Sequence, residues 1–129
     1  MSHRILVIED NPVNMELVTD LLEAAGFIVY PAATGEQGMC AAESIVPDLI
    51  LMDLSLPGLD GLATTRALRK NPATSHLPII ALTAHAMKGD EEIALSAGCN
   101  GYLTKPIDTR TFVSRIGAYL TDANKPQFS

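Results

Sequence analysis

Four of the five apolar segments in the sequence end on ionisable or hydroxyl side chains. Glu9 and Asp10 follow the first segment, Asp53 the third, Thr83 the fourth and Lys105 the fifth. Chance would supply one or two such residues as solvated strand ends. Four strand ends of this kind are hard to explain as ordinary solvent-exposed side chains, so these five residues form the candidate site.

The three carboxylates of this set favour a divalent cation. Crowded carboxylates repel one another unless a cation binds, and hard oxygen ligands select Mg²⁺, or Mn²⁺ in its place. Asp10 and Asp53 are the expected direct ligands. Glu9 is expected to act through water, because its longer side chain sits one position back.

Asp53 is the candidate nucleophile. An aspartate carboxylate can attack phosphorus and form an acyl phosphate, and it needs no base because it is ionised at neutral pH. The metal ion and the Lys105 ammonium would offset charge on the transferring group, while the Thr83 hydroxyl donates a hydrogen bond to one of its oxygens.

Alternating strands and helices must position these residues. Apolar runs predict strands at 5–8, 27–30, 49–52, 77–82 and 101–104, and periodicity and turn signals predict helices at 13–25, 35–45, 61–69, 86–97 and 109–120. Right-handed crossovers between parallel strands need helices, so this alternation predicts an α/β fold, a doubly wound parallel sheet with helices on both faces. Ligands of such sheets bind beyond the carboxyl ends of the strands.

Length and composition predict a single cytoplasmic domain. The chain has 129 residues, 47% of them hydrophobic, and a formal net charge of -6, which leaves no electrostatic footprint for nucleic acid. Its start, Met1-Ser2-His3-Arg4, is not a signal peptide, no apolar run is long enough for a membrane span, and the two cysteines lack a pairing motif. We expect the domain at 1–121 and a polar tail at 122–129.

Four motifs together resemble the receiver domains of two-component response regulators, in the CheY-like superfamily, over residues 4–120. They are VIEDN at 7–11, LMDLSLPGLDG at 51–61, ALTA at 81–84 and GYLTKP at 101–106. The resemblance implies a flavodoxin-like sheet with strand order 2-1-3-4-5. It implies phosphorelay signal transduction, in which a phosphoryl group on the receiver switches protein–protein interactions.

The resemblance also assigns roles within the site. It makes Asp53 the phosphoacceptor, Glu9 and Asp10 the acidic pair, and the main-chain carbonyl of Ser55 a further magnesium ligand. Lys105 becomes the phosphate-contacting lysine.

Three further features follow from the resemblance. Thr83 and Tyr102 become the switch pair. Their movement on phosphorylation changes the surface formed by the fourth helix, fifth strand and fifth helix. A cis bond is implied between Lys105 and Pro106. His85 occupies a position that tunes phosphorylation lifetime in the family, although a solvated loop histidine explains it equally well.

The family suggests the partners. The donor is a histidine kinase, including hybrid, cell-cycle and phytochrome-type kinases, or a histidine phosphotransfer protein, docked near the first helix. The opening and ALTAHAM segments resemble stand-alone regulators of the DivK type and receivers of hybrid kinases. The output is a protein target, and the receiver is either a monomer or a homodimer through the switch surface.

Three other classes fit less well. An aspartyl phosphatase or mutase that uses magnesium usually has a second Asp two residues after the nucleophile, where this chain has Ser55. A flavin-binding protein needs a phosphate loop after the first strand, but Glu9 and Asp10 would repel phosphate. A receiver-like scaffold that works without phosphorylation would not need the reactive residues that this chain keeps. The chain is therefore expected to be a phosphoacceptor rather than an enzyme, catalysing only its own phosphorylation and slow dephosphorylation.

Overall fold

The structure is a computed structural model that describes residues 3–54, 61–83 and 88–124. Strands and helices alternate through these residues: β1 (Arg4–Ile8), α1 (Pro12–Ala24), β2 (Ile28–Ala32), α2 (Gly35–Ile45), β3 (Leu49–Asp53), α3 (Gly61–Lys70), β4 (Ile79–Thr83), α4 (Lys88–Ala97), β5 (Gly101–Thr104) and α5 (Phe112–Asn124). The strands form one parallel sheet in the order β2-β1-β3-β4-β5. The predicted fold class and strand order are confirmed.

Two apolar layers separate the sheet from its helices. Alternate side chains of β1, β3 and β4 point to opposite faces, since the period of a strand is two. One face packs against α1 and α5 through residues such as Val18, Leu22 and Ile116, and the other packs against α2, α3 and α4 through Ala42, Leu68 and Ala94. All five residues of β3 and all five of β4 are buried, as the continuous apolar runs predict.

Several predicted element boundaries are wrong by a few residues. Strand β2 runs through Pro31 to Ala32 rather than ending at residue 30, because it lies at the edge of the sheet, where proline is tolerated. Strand β4 begins at Ile79, two residues after its predicted start. Helix α5 begins at Phe112, after a turn in which the amides of Thr111 and Phe112 both donate to the Asp108 carbonyl. It continues to Asn124, four residues beyond the predicted helix end.

Candidate functional site

Three carboxylates meet at the carboxyl ends of β1 and β3. One ligand oxygen each from Glu9, Asp10 and Asp53 can lie within 4.8 Å of the others. Glu9 and Asp53 are 1% and 2% exposed, whereas Asp10 faces solvent. Because β1 and β3 are paired neighbours, with Ile8 opposite Met52, their next residues emerge side by side. The arrangement offers a partly open, all-oxygen site of the kind that hard divalent cations occupy.

Lys105 bridges the two buried carboxylates. Its Nζ lies 3.1 Å from Glu9 Oε1 and 3.1 Å from Asp53 Oδ2. The Lys105 amide donates to the Thr83 carbonyl at 2.7 Å, which fixes the residue beside the end of β4. The Lys105–Pro106 peptide bond is cis, as predicted. The sequence placed Lys105 near the site, but did not show that it would contact Glu9 as well as Asp53.

The charge balance of the cluster shifts two pKa values. Burial, together with the neighbouring Asp53 carboxyl, raises the pKa of Glu9 to about 7, against the opposing effects of the Asn11 amide and Lys105. Burial acts against the Lys105 ammonium, but Glu9 and Asp53 outweigh it, so the pKa of Lys105 is raised. One Lys105 ammonium therefore offsets only part of the charge of the two buried carboxylates, and the site has an excess of negative charge.

One oxygen of Glu9 has an incomplete set of hydrogen bonds. Within the part of the chain that the structure describes, buried Oε1 has no aligned hydrogen-bond donor, although Lys105 Nζ lies at ion-pair distance from it. Buried carboxylate oxygens are normally hydrogen-bonded or bound to a cation. This oxygen and the other carboxylates of the cluster thus fit a divalent metal ion.

Asn11 is a site residue that the sequence analysis did not single out. Its amide donates to Glu9 Oε2 at 3.1 Å, while its side-chain oxygen accepts from the amides of Val13 and Asn14 at 2.9 and 3.2 Å. It therefore caps α1 and orients Glu9 at the same time. An Asn directly before Pro12, the first residue of α1, is the sequence signal that could have identified it.

Thr83 and Tyr102 lie on the side of the sheet that faces α4. Thr83 ends β4 and is buried, while Tyr102 pairs with Ala81 in the register of β4 and β5 and is half-buried. A hydrogen bond to the Glu91 side chain of α4 raises the pKa of the Tyr102 hydroxyl. The structure thus places both residues of the predicted switch pair on the same face of the sheet, with Tyr102 next to α4. Ser55 and His85 lie outside the described residues.

A groove of about 470 Å³ lies beside the cluster, between α1 and the loop after β5. It is lined by Asn14, Leu17, Lys105, Pro106 and Ile107. Lys105 therefore contacts both the groove and the carboxylates. Within α1, the neighbouring Val13 is 74% exposed. A partner seated in this groove would contact Lys105, which in turn contacts Glu9 and Asp53.

Comparison with known proteins identifies the family. Residues 5–117 match the response regulator receiver domain family. The chain is a response regulator receiver domain. The receiver is 42% identical over 123 residues to the polar-differentiation response regulator DivK of Brucella ovis, and the match spans 95% of this chain and all of that protein. The predicted resemblance to two-component receivers is confirmed, and the protein belongs to phosphorelay signalling.

Solved structures agree with this assignment. The receiver domain of a Pseudomonas aeruginosa sensor histidine kinase, whose structure holds a magnesium ion in its active-site cleft, is 40% identical, with a TM-score of 0.86 over 94% of this chain and 99% of that one. The Vibrio cholerae chemotaxis protein CheY4 shares the fold, with a TM-score of 0.87 at 24% identity over 92% of this chain and 99% of that one.

The family places this receiver among signalling proteins that interact with histidine kinases or phosphotransfer proteins. Among the helices that the structure describes, none is long and apolar enough to cross a membrane.

Proposed function

We propose that Asp53 is the phosphoacceptor of this receiver. The observation that carries the proposal is the position of its buried carboxylate. It belongs to the acidic cluster and lies 3.1 Å from Lys105 Nζ. Glu9 also belongs to the cluster and contacts Lys105, but its Oε2 accepts from the Asn11 amide and burial raises its pKa to about 7, so Asp53 is the better nucleophile. Such a group is positioned both to react with phosphorus and to have the added charge offset.

The bonds that form and break in the transfer involve only Asp53 and a phosphohistidine on the donor. An oxygen of Asp53 attacks the phosphorus, an O–P bond forms and the N–P bond breaks. The bonding pair stays on the imidazole nitrogen, which takes a proton from solvent. Lys105 offsets charge on the phosphoryl oxygens, and the Thr83 hydroxyl donates to one of them.

Glu9, Asp10 and Asp53 would hold Mg²⁺ or Mn²⁺, with the Ser55 carbonyl as a further ligand. When bound, the ion supplies positive charge to the phosphoryl oxygens. Asp10 and Asp53 are the direct ligands in this proposal, and Glu9 acts through water. Asn11 holds Glu9 at 3.1 Å through its amide and keeps that carboxylate directed into the cluster.

The phosphoryl group acts as a switch through Thr83 and Tyr102. Thr83 moves toward the phosphoryl oxygens, and Tyr102 turns inward to fill the space. The Tyr102 contact with Glu91 breaks as the ring turns, which changes the surface made of α4, β5 and α5. His85 tunes the lifetime of the phosphorylated state.

The proposed partners follow from the surfaces beside these residues. The donor, a histidine kinase of hybrid, cell-cycle or phytochrome type or a histidine phosphotransfer protein, docks in the groove lined by Asn14, Leu17 and Ile107. The phosphorylated form binds a cytoplasmic protein target, as a monomer or as a homodimer through α4, β5 and α5. Residues 1–121 form the receiver and 122–129 a polar tail. The protein is not an enzyme with a turned-over substrate, since it catalyses only its own phosphorylation and slow dephosphorylation.

Mass spectrometry tests the proposal directly. Acetyl phosphate with Mg²⁺ should add one phosphoryl mass to the wild type and none to Asp53→Asn. Asp20→Asn is the matched control, because Asp20 is an exposed carboxylate of α1 away from the cluster. Equal labelling of Asp53→Asn and wild type at equal rates would show that the acceptor lies elsewhere.

A further inference from the structure

A polar network around Arg69 lies at the opposite end of the sheet from the carboxylate cluster. Arg69, in α3, donates from Nε to the Gly98 carbonyl at 2.9 Å, from Nη1 to the carbonyls of Ser75 and Leu77 at 2.9 and 2.6 Å, and from Nη2 to Asn100 Oδ1 at 2.7 Å. One guanidinium therefore connects three segments: the end of α4, the start of β5 and the loop before β4.

The contact at Gly98 secures the end of α4. Gly98 has a φ of +117°, and its amide donates to the Leu95 carbonyl while the Cys99 amide donates to the Ala94 carbonyl, both at 3.1 Å. These two bonds close the helix in the left-handed glycine motif. A β-carbon on Gly98 would lie 2.7 Å from Arg69 Cγ, so the arginine stem covers this turn.

The contact at Asn100 fixes β5 against β4. The Asn100 amide donates to the Ile79 carbonyl at 2.7 Å, and its side-chain oxygen accepts from the Ile79 amide at 2.8 Å. That same side-chain oxygen accepts from Arg69. Arg69 therefore supports the pairing of β4 and β5 at the end of the sheet away from the carboxylate cluster.

The two ends of α4 differ in their relation to the site. Its last residue, Ala97, directly precedes the turn held by Arg69. Its first residue, Lys88, is joined to Thr83 through only four residues, 84–87. Thr83 is thus separated from the first turn of α4 by a short connection in sequence, while the last turn is tied to α3 and β4.

We propose that Arg69 is a positioning residue that makes the C-terminal end of α4 a fixed pivot, about which the helix moves when the receiver is phosphorylated. This inference rests on the proposed function, because it uses the phosphoryl switch as the source of movement. The planar guanidinium suits the role, since its donors form a rigid fork that lysine cannot reproduce.

Hydrogen exchange with mass spectrometry tests the pivot in the wild-type protein. Beryllofluoride with Mg²⁺ serves as the phosphoryl mimic. We expect it to change exchange at the start of α4 at least five-fold while the amides of residues 98–100 change less than two-fold. An equal change at both ends of α4 would overturn the pivot and leave the proposed function intact. No change anywhere in the chain would instead overturn the proposed function, and the pivot with it.

Substitutions of Arg69 test its positioning role. Without any mimic, Arg69→Met should speed exchange in residues 94–100 at least ten-fold, while phosphoryl uptake from acetyl phosphate stays within about two-fold of wild type. Arg66→Met, an exposed arginine of the same helix, is the matched control. If Arg69→Met does not fold, Arg69→Lys keeps the stem and charge and should still show at least three-fold faster exchange there. Exchange equal to that of Arg66→Met in either variant would overturn the assignment.

Discussion

Gly61 packs directly on the backbone of Asp53. A β-carbon at Gly61 would overlap the Asp53 carbonyl oxygen and come within 2.6 Å of Leu54 Cα. The first residue of α3 therefore touches the end of β3 without any intervening side chain. Because backbone atoms cannot rotate away as side chains can, this contact fixes the end of β3 and with it the position of Asp53.

Gly61→Ala should therefore destabilise the receiver by about 2–3 kcal/mol, the cost of overpacking a close contact. It should also slow phosphoryl uptake, because Asp53 must shift. Urea unfolding and mass spectrometry measure the two effects. Gly117→Ala in α5 is the control: a β-carbon there meets nothing within 4 Å beyond its own neighbours and the backbone of its own helix, and removal of a helical glycine should stabilise by about 0.5–1 kcal/mol. Equal stability changes in the two variants would contradict the close contact at Gly61.

Replacement of Lys105 by methionine should tighten Mg²⁺ binding. The change removes the cation that now lies 3.1 Å from both Glu9 and Asp53, so the cluster becomes more negative. A gain of about 1 kcal/mol, or about five-fold in affinity, is reasonable for one charge near a partly buried site. Calorimetric titration measures it, with Lys70→Met at an exposed position as control. Weaker Mg²⁺ binding in Lys105→Met would contradict the charge balance described for the cluster.

The stability of the metal-free protein should fall as pH rises from 5 to 8. The pKa of Glu9 is raised from 4.5 to about 7 in the folded protein, so between these values the folded state binds more protons than the unfolded state. The penalty for ionised Glu9 is absent at low pH and complete above about pH 7, and we expect a loss of about 1–3 kcal/mol. The raised pKa of Lys105 lies outside this window and does not contribute.

Urea midpoints measured in EDTA at several pH values test this dependence of stability on pH. Glu9→Gln should flatten it, and saturating Mg²⁺ should reverse it, because the metal favours the ionised cluster. A slope that survives Glu9→Gln unchanged would assign the effect to another group.

Val46→Gly should stabilise the protein. Val46 ends α2 in the left-handed conformation, with φ 51° and ψ 68°, and its side chain is 51% exposed. A β-branched residue is strained in this conformation, and glycine should raise the free energy of unfolding by about 1 kcal/mol. Val13→Gly removes a valine that is even more exposed, at 74%, from helical geometry and should be neutral or slightly destabilising. Thermal unfolding of both variants provides the measurement; a destabilised Val46→Gly would mean that the side chain has compensating contacts.

The sequence predicted the sheet well because its signals there are local. β3 and β4 are buried on both faces, so their apolar runs are uninterrupted, and α2 and β5 have the predicted bounds. The predicted second strand ended at residue 30, and this end is wrong because β2 lies at the edge of the sheet, where Pro31 is tolerated. That position depends on the strand order, which local sequence does not encode.

The sequence predicted which residues form the site, but not which of their side chains are in contact. Strand ends predicted that Glu9, Asp53 and Lys105 would meet. The shared contact of Lys105 with both carboxylates and the raised pKa of Glu9 depend on burial and distance in three dimensions. Asn11 was missed because its two roles, capping a helix and orienting a carboxylate, appear only once Glu9 has been placed.

Pro31 also limits how copies of this receiver can associate. The Ile28 amide donates inward to the His3 carbonyl, so by the alternation of a strand the backbone nitrogen of Pro31 faces outward, where it has no hydrogen to donate. A second strand approaching this edge would find the donor row interrupted. Self-assembly by joining sheets edge to edge through β2 is therefore disfavoured, which protects the protein from growing into extended fibrils at this edge.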